Sequence, residues 1–222
     1  MPLLAGPAGR PSKMGRMDLR GILFDWGGVF TRGTFDGRVV RNLARRFALP
    51  EEAVAEAYFD LVERLELGEW TLRRFWEELS RRLSVDAPYP VFEQIFLGSV
   101  APRPEMYELL LALPEELVVG MLSNNYPVIS SYLRAEESFD RFDAAVFSNE
   151  EGMKKPDPRA FRLALSRMRL SPEEVLFVDD NPENIEAARA LGLRTHLFRE
   201  AGPLIEELKA AGVRLRALPK RP

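Results

Sequence analysis

The sequence predicts an α/β protein: a doubly wound, parallel five-stranded sheet of Rossmann-like type, interrupted after its first strand by an all-helical insert. Three observations predict it. From position 103 onward, short apolar runs alternate with amphipathic helical segments, the pattern of a parallel sheet covered on both faces. One more apolar run, ILF at 22–24, stands alone near the amino end. Between the two, residues 33–100 space their apolar residues at helical intervals.

Taken in order, residues 1–17 (MPLLAGPAGRPSKMGRM) are rich in Pro and Gly, basic, and lack the continuous apolar stretch of a secretory signal, which predicts a disordered tail. The first strand is expected over 19–26. Helices are expected in DGRVVRNLARRFAL (36–49), PEEAVAEAYFDLVERLELG (50–68) and TLRRFWEELSRRL (71–83), with a weaker fourth in PVFEQIFLG (90–98). Pro50 suits a first helical turn and Gly68 a helix end. Phe75, Trp76, Phe92 and Phe96 are expected in the core of this module. The remaining strands are LVVGMLS (117–123), AAVFSN (144–149), VLFVDD (175–180) and RTHLF (194–198), each preceded by a helix, and PLIEELKAAG (203–212) closes the chain. The expected organisation is a core of residues 18–32 and 101–222 with a helical cap at 33–100.

Composition excludes several chemistries. A chain of 222 residues is long enough for one domain with an insert, and a net charge of −3 gives no reason to expect nucleic acid or membrane binding. The apolar runs are too short to span a bilayer, so a cytoplasmic protein is expected. There is no cysteine and a single histidine, His196, which rules out thiolate sites, a Cys nucleophile and a multi-His metal cage. Hard oxygen ligands would then select magnesium over zinc.

Open parallel sheets bind ligands at the carboxyl ends of their strands. The first strand ends at Asp25, the second at Ser123 followed by Asn124 and Asn125, and the fourth at Asp179 and Asp180; the loop after the third carries Lys154 and Lys155. Crowded carboxylates repel, so a site that keeps them ionised calls for a cation, and Mg²⁺ is the usual occupant. Magnesium favours phosphate oxygens, while a Ser hydroxyl, backbone N–H groups at helix starts and a Lys add donors for the same anion. In such a setting a carboxylate can attack phosphorus, because metal and Lys offset the repulsion between two anions.

Four segments, ILFDWGGV, GMLSNN, GMKKPDP and VLFVDDNPENI, align in order with the motifs of the haloacid dehalogenase superfamily, which the chain resembles from Met17 onward. It is similar to the helical-cap subgroup that holds the epoxide hydrolase amino-terminal phosphatase domain and sugar-1-phosphate phosphatases. The resemblance implies a Mg²⁺-dependent phosphatase of small phosphorylated metabolites. Asp25 would be the nucleophile and a metal ligand, Gly27 would offer its backbone carbonyl to the metal, and Ser123, the Asn124 backbone and Lys155 would bind phosphate. Asp180 would contact the metal directly, Asp179 through water or as a second ligand, with Asn184 supporting them; Lys154 would point to solvent. Trp26, beside the nucleophile, is a candidate for the substrate pocket, and Trp76 a weaker one.

The sequence departs from the family pattern at Gly27, where most members carry a second Asp that protonates the leaving group. The implied enzyme therefore prefers leaving groups that need little protonation, such as anomeric, aryl or acyl oxygens. Alternatively, a cap residue such as Glu66, Glu69 or Tyr58 does that work, or the protein is an inactive binder of phosphorylated ligands. A 2-haloacid dehalogenase shares the fold and the Asp nucleophile but needs no metal, and the Asp179–Asp180 pair would repel its substrate.

Overall fold

The computed structural model describes residues 19–217; the predicted tail at 1–17 lies outside the described residues. Along the chain, β1 (Gly21–Phe24) is followed by five helices, α1 (Phe35–Phe47), α2 (Glu51–Phe59), α3 (Val62–Glu66), α4 (Leu72–Leu83) and α5 (Tyr89–Leu97). Then come α6 (Pro104–Ala112), β2 (Val118–Ser123), α7 (Pro127–Arg134), β3 (Ala144–Phe147), the short α8 (Ser148–Glu151) and α9 (Pro158–Met168). The last elements of the described residues are β4 (Val175–Asp179), α10 (Pro182–Ala190), β5 (Arg194–Leu197) and α11 (Ala201–Ala210). Among the described residues, all five strands run parallel in the order β3-β2-β1-β4-β5, as the alternating pattern predicts. The order reverses at β1, so a crevice opens beyond its carboxyl end.

Apolar residues alternate between the two faces of the sheet. Ile22, Phe24, Val119, Met121 and Val178 pack on one side, and Leu23, Leu122, Val146 and Phe177 on the other. The first cluster continues through Phe30 and Phe35 into the five-helix block, where Leu43, Phe75, Trp76, Phe92 and Phe96 are all buried. One continuous apolar core thus ties the inserted helices to the sheet.

Three expectations at the level of elements are corrected. Ser148 and Asn149, expected at the end of the third strand, open α8 instead. The single helix expected over 50–68 is two, α2 and α3, separated at Asp60 and Leu61. No Gly or Pro stands at the break; Asp60 pairs with Arg82 of α4 while Leu61 is buried, so contacts between helices rather than local propensity end α2. The first strand is shorter than expected: Asp25 and Trp26 lie beyond its last paired residue, Phe24. Among the described residues no helix is long and apolar enough to cross a membrane.

Candidate active site

Register brings the strand ends together. Phe24 pairs with Met121 on one side and with Val178 on the other, so Asp25 and Asp179 follow paired neighbours on adjacent strands. The Asp25 amide donates to the Val178 carbonyl at 2.9 Å, which holds the first residue beyond β1 in line. On α10, Asn184 donates to both Asp179 carboxylate oxygens, at 3.2 and 3.0 Å, and the Asn181 amide donates to Oδ1 at 2.8 Å.

Lys155 joins these strands from the loop before α9. The residue is 2 % exposed, and its ammonium lies 2.8 Å from Asp25 Oδ1 and 2.7 Å from Asp179 Oδ2. Asn124 fixes that loop from β2: its side-chain nitrogen donates to the Lys155 carbonyl at 3.0 Å, and its oxygen accepts the Lys155 amide at 2.8 Å. This reciprocal clamp was not anticipated from sequence, which suggested only the Asn124 backbone. Ser123 is buried at the end of β2.

Asp25, Asp179 and Asp180 each offer a carboxylate oxygen within 4.8 Å of the others. With all three ionised and Lys155 protonated, the cluster keeps two net negative charges. Burial pushes Asp25 up to about 7, Lys155 opposing and Asp179 and Asp180 adding to the rise. Burial raises Asp180 as well, with Asp179 contributing. Burial by itself would lower Lys155, but the two carboxylates beside it outweigh that and raise it, so it stays charged. A compact, oxygen-only, over-anionic donor set without sulfur or imidazole fits a hard divalent cation such as Mg²⁺.

The loop after Asp25 makes room for this cluster. A Cβ at Gly28, whose φ is +72°, would lie 2.0 Å from Asp180 Oδ2, so glycine is what allows the Asp180 carboxylate to rest against the loop. Gly27 has no such constraint: its nearest neighbour to a Cβ would be Asp25 Oδ2 at 3.9 Å. The cluster opens into a cleft of about 360 Å³ whose walls include Gly27, Phe35, Asp36, Glu66 and Tyr126.

Other candidates resolve differently. Trp26 borders the cleft but is 3 % exposed; its indole packs against Phe35 and its N–H points to the Tyr107 hydroxyl at 3.4 Å. Trp76 is no pocket residue: it stacks on Phe92 at 4.7 Å and donates to the Ala87 carbonyl. Lys154 does not extend freely into solvent. It bridges to α3 through Glu63 at 3.0 Å and Glu66 at 2.8 Å, because the tight turn at Gly68 brings the helical block down onto α8.

A family model described as haloacid dehalogenase-like hydrolase matches residues 19–192, which contain the whole cluster. The chain belongs to the haloacid dehalogenase-like hydrolases. The hydrolase is 30% identical over 213 residues to mouse (Mus musculus) acyl-CoA dehydrogenase family member 10, covering 88% of this chain and 19% of that protein. It is 30% identical to pig (Sus scrofa) bifunctional epoxide hydrolase 2, covering 93% of this chain and 41% of that one. It therefore spans less than half of each of these two relatives. Phosphatase MT3486 of Mycobacterium tuberculosis is 28% identical, with 84% of this chain and 90% of that protein covered. Among solved structures, HAD family enzyme bt-2542 from Bacteroides thetaiotaomicron superimposes on the hydrolase with a TM-score of 0.72 at 24% identity, over 83% of this chain and 95% of that one. A HAD-like family hydrolase from Porphyromonas gingivalis does so with 0.71 at 25%, over 86% and 98%.

Proposed function

We propose that this hydrolase is a Mg²⁺-dependent phosphatase of small phosphate monoesters that works through an aspartyl-phosphate on Asp25. The observation that carries the reading is the buried Asp25 carboxylate, paired with Lys155 at 2.8 Å and grouped with Asp179 and Asp180 so that one oxygen of each lies within 4.8 Å of the others. In support, bt-2542 has also been solved in complex with magnesium and inorganic phosphate, and the mycobacterial relative is named a phosphatase.

In this mechanism Asp25, the Gly27 carbonyl, Asp180 and Asp179 would hold the cation, and Asn184 fixes Asp179. Mg²⁺ bound there would supply positive charge that offsets the repulsion between the phosphoryl group and the carboxylate. Lys155 neutralises one further charge, and the Ser123 hydroxyl and Asn124 amide orient the phosphoryl oxygens. An Asp25 oxygen attacks phosphorus as the bond to the leaving oxygen breaks; water then attacks the same phosphorus and releases phosphate and the free Asp25 carboxylate. The helical block serves as a cap over the cleft. Aryl, anomeric and acyl leaving groups need only these residues, because they depart with little protonation.

The test is phosphate release from a panel of esters, p-nitrophenyl phosphate among them, with Mg²⁺ and with chelator, using Asp25→Asn as the blank. Release that requires both Mg²⁺ and Asp25 is expected. Release unchanged in Asp25→Asn, or none from any ester, overturns the reading.

A further inference from the structure

Gly27 leaves the reaction without a proton donor, and the cleft holds two carboxylates outside the Asp25–Asp179–Asp180 cluster, Asp36 and Glu66. Their surroundings differ. Glu66 is tied to the Lys154 ammonium at 2.8 Å, which opposes the rise that burial gives its carboxyl and holds that carboxyl on Lys154. Asp36, in the first turn of α1, has two phenols in contact instead: its Oδ1 accepts from the Tyr58 hydroxyl of α2 at 2.6 Å and from the Tyr126 hydroxyl, just beyond β2, at 2.5 Å. Tyr58 is fully buried and Glu69 is exposed, and neither lines the cleft, so neither offers a proton to it.

We propose that Asp36 is the catalytic acid and base of this enzyme, replacing across the cleft the carboxylate that Gly27 lacks; the assignment rests on the phosphatase reading above. In the first step the Asp36 carboxyl gives its proton to the leaving oxygen as that oxygen's bond to phosphorus breaks and the Asp25–phosphorus bond forms. In the second, Asp36 takes a proton from the attacking water as a new oxygen–phosphorus bond replaces the one to Asp25. Asp36 ends protonated, so one ester and one water become one alcohol and one phosphate.

The electrostatics agree with this role. Burial raises Asp36 above the usual carboxylate range, and the two phenol hydrogen bonds pull it part of the way back. Charged groups around it are Lys154, which favours its anion, and Glu66, which Asp36 in turn helps to raise. Tyr58 and Tyr126 are themselves raised far above the ordinary phenol range by burial, so they remain donors throughout the working pH range. The phenols hold the carboxyl in place, and burial, outweighing them and Lys154, gives it a firmer hold on its proton than an ordinary Asp has.

The experiment measures single-turnover release of the leaving group, from p-nitrophenyl phosphate and from an alkyl phosphate, in the native enzyme, Asp36→Asn and Asp36→Asn/Gly27→Asp. In Asp36→Asn, alkyl alcohol release is expected to fall about 10²–10⁴-fold while nitrophenolate release falls less than about tenfold. With substrate in excess, nitrophenolate should then appear as a burst, because hydrolysis of the aspartyl-phosphate has lost its base. Gly27→Asp, for which the loop has room, should restore alkyl turnover. As a check independent of that variant's folding, Tyr58→Phe removes a donor that favours the Asp36 anion and should move the alkaline limb of the rate profile to higher pH. Equal losses for both esters, a change confined to KM, or an unmoved alkaline limb would overturn the assignment of Asp36 while leaving the phosphatase reading intact. Absence of Mg²⁺- and Asp25-dependent release in the native enzyme overturns both.

Discussion

Gly27 and Gly28 are adjacent and look alike in sequence, yet only one is needed by the backbone. Gly28 combines a φ of +72° with an approach to Asp180 that no Cβ survives, whereas a side chain at Gly27 meets nothing closer than ordinary contact. Gly28→Ala is therefore expected to cost about 1–3 kcal/mol through the left-handed conformation alone. It should also displace the Asp180 carboxylate, so Mg²⁺-dependent phosphate release falls together with stability. Gly27→Ala should be neutral or stabilise by up to about 1 kcal/mol by restricting the unfolded chain. Urea titration and phosphate release on both variants check the contrast, and similar losses in the two would refute it. Asp25, Lys155, Asp179 and Asp180 could be selected from sequence because strand ends and motif spacing mark them. Asp36 could not: it sits in a helix start among other polar residues, and only the converging hydroxyls of Tyr58 and Tyr126 single it out.

At the scale of elements, the turn between α3 and α4 presses on the core. Gly68 has a φ of +73°, and a Cβ there would lie 2.1 Å from the Asn149 carbonyl oxygen of α8. Gly68→Ala should push the helical block away from α8, strain the Lys154 bridge to Glu63 and Glu66, and destabilise the protein by about 1–3 kcal/mol. Thermal denaturation and the KM for p-nitrophenyl phosphate are the readouts; an unchanged melting temperature would show that the contact is dispensable. Strands and most helices were legible because their apolar residues repeat with the right period. The α2–α3 break was not, since Asp60 and Leu61 are acceptable inside a helix and yield only to Arg82 and the buried packing around them.

For the whole molecule, the charge cluster links stability to pH and metal. Burial holds Asp25 near 7 against 3.8 for an ordinary Asp, so between 3.8 and about 7 the folded protein retains a proton that the unfolded chain has lost. Folded stability from this group is thus complete at low pH and is lost as pH rises through about 7, where the carboxylate must sit ionised beside two others. A cation offsets that repulsion and binds only the folded cluster, so Mg²⁺ should raise the melting temperature more at pH 8 than at pH 6. Asp25→Asn should abolish most of the difference. A Mg²⁺ shift independent of pH, or one retained in Asp25→Asn, would contradict the linkage.

From its sequence alone, this chain is committed to a parallel sheet with helices on both faces, because period and length of apolar runs are local properties. The same local reading marks which polar residues stand at strand ends. Tertiary structure decided what those residues meet: Lys155 between Asp25 and Asp179, Asn124 clamping the Lys155 loop, Lys154 turned onto α3, and Asp36 brought to the cleft. Each of these contacts joins segments far apart in the chain, and their geometry is set by how a continuous apolar core seats the helical block on the sheet, which no local pattern encodes.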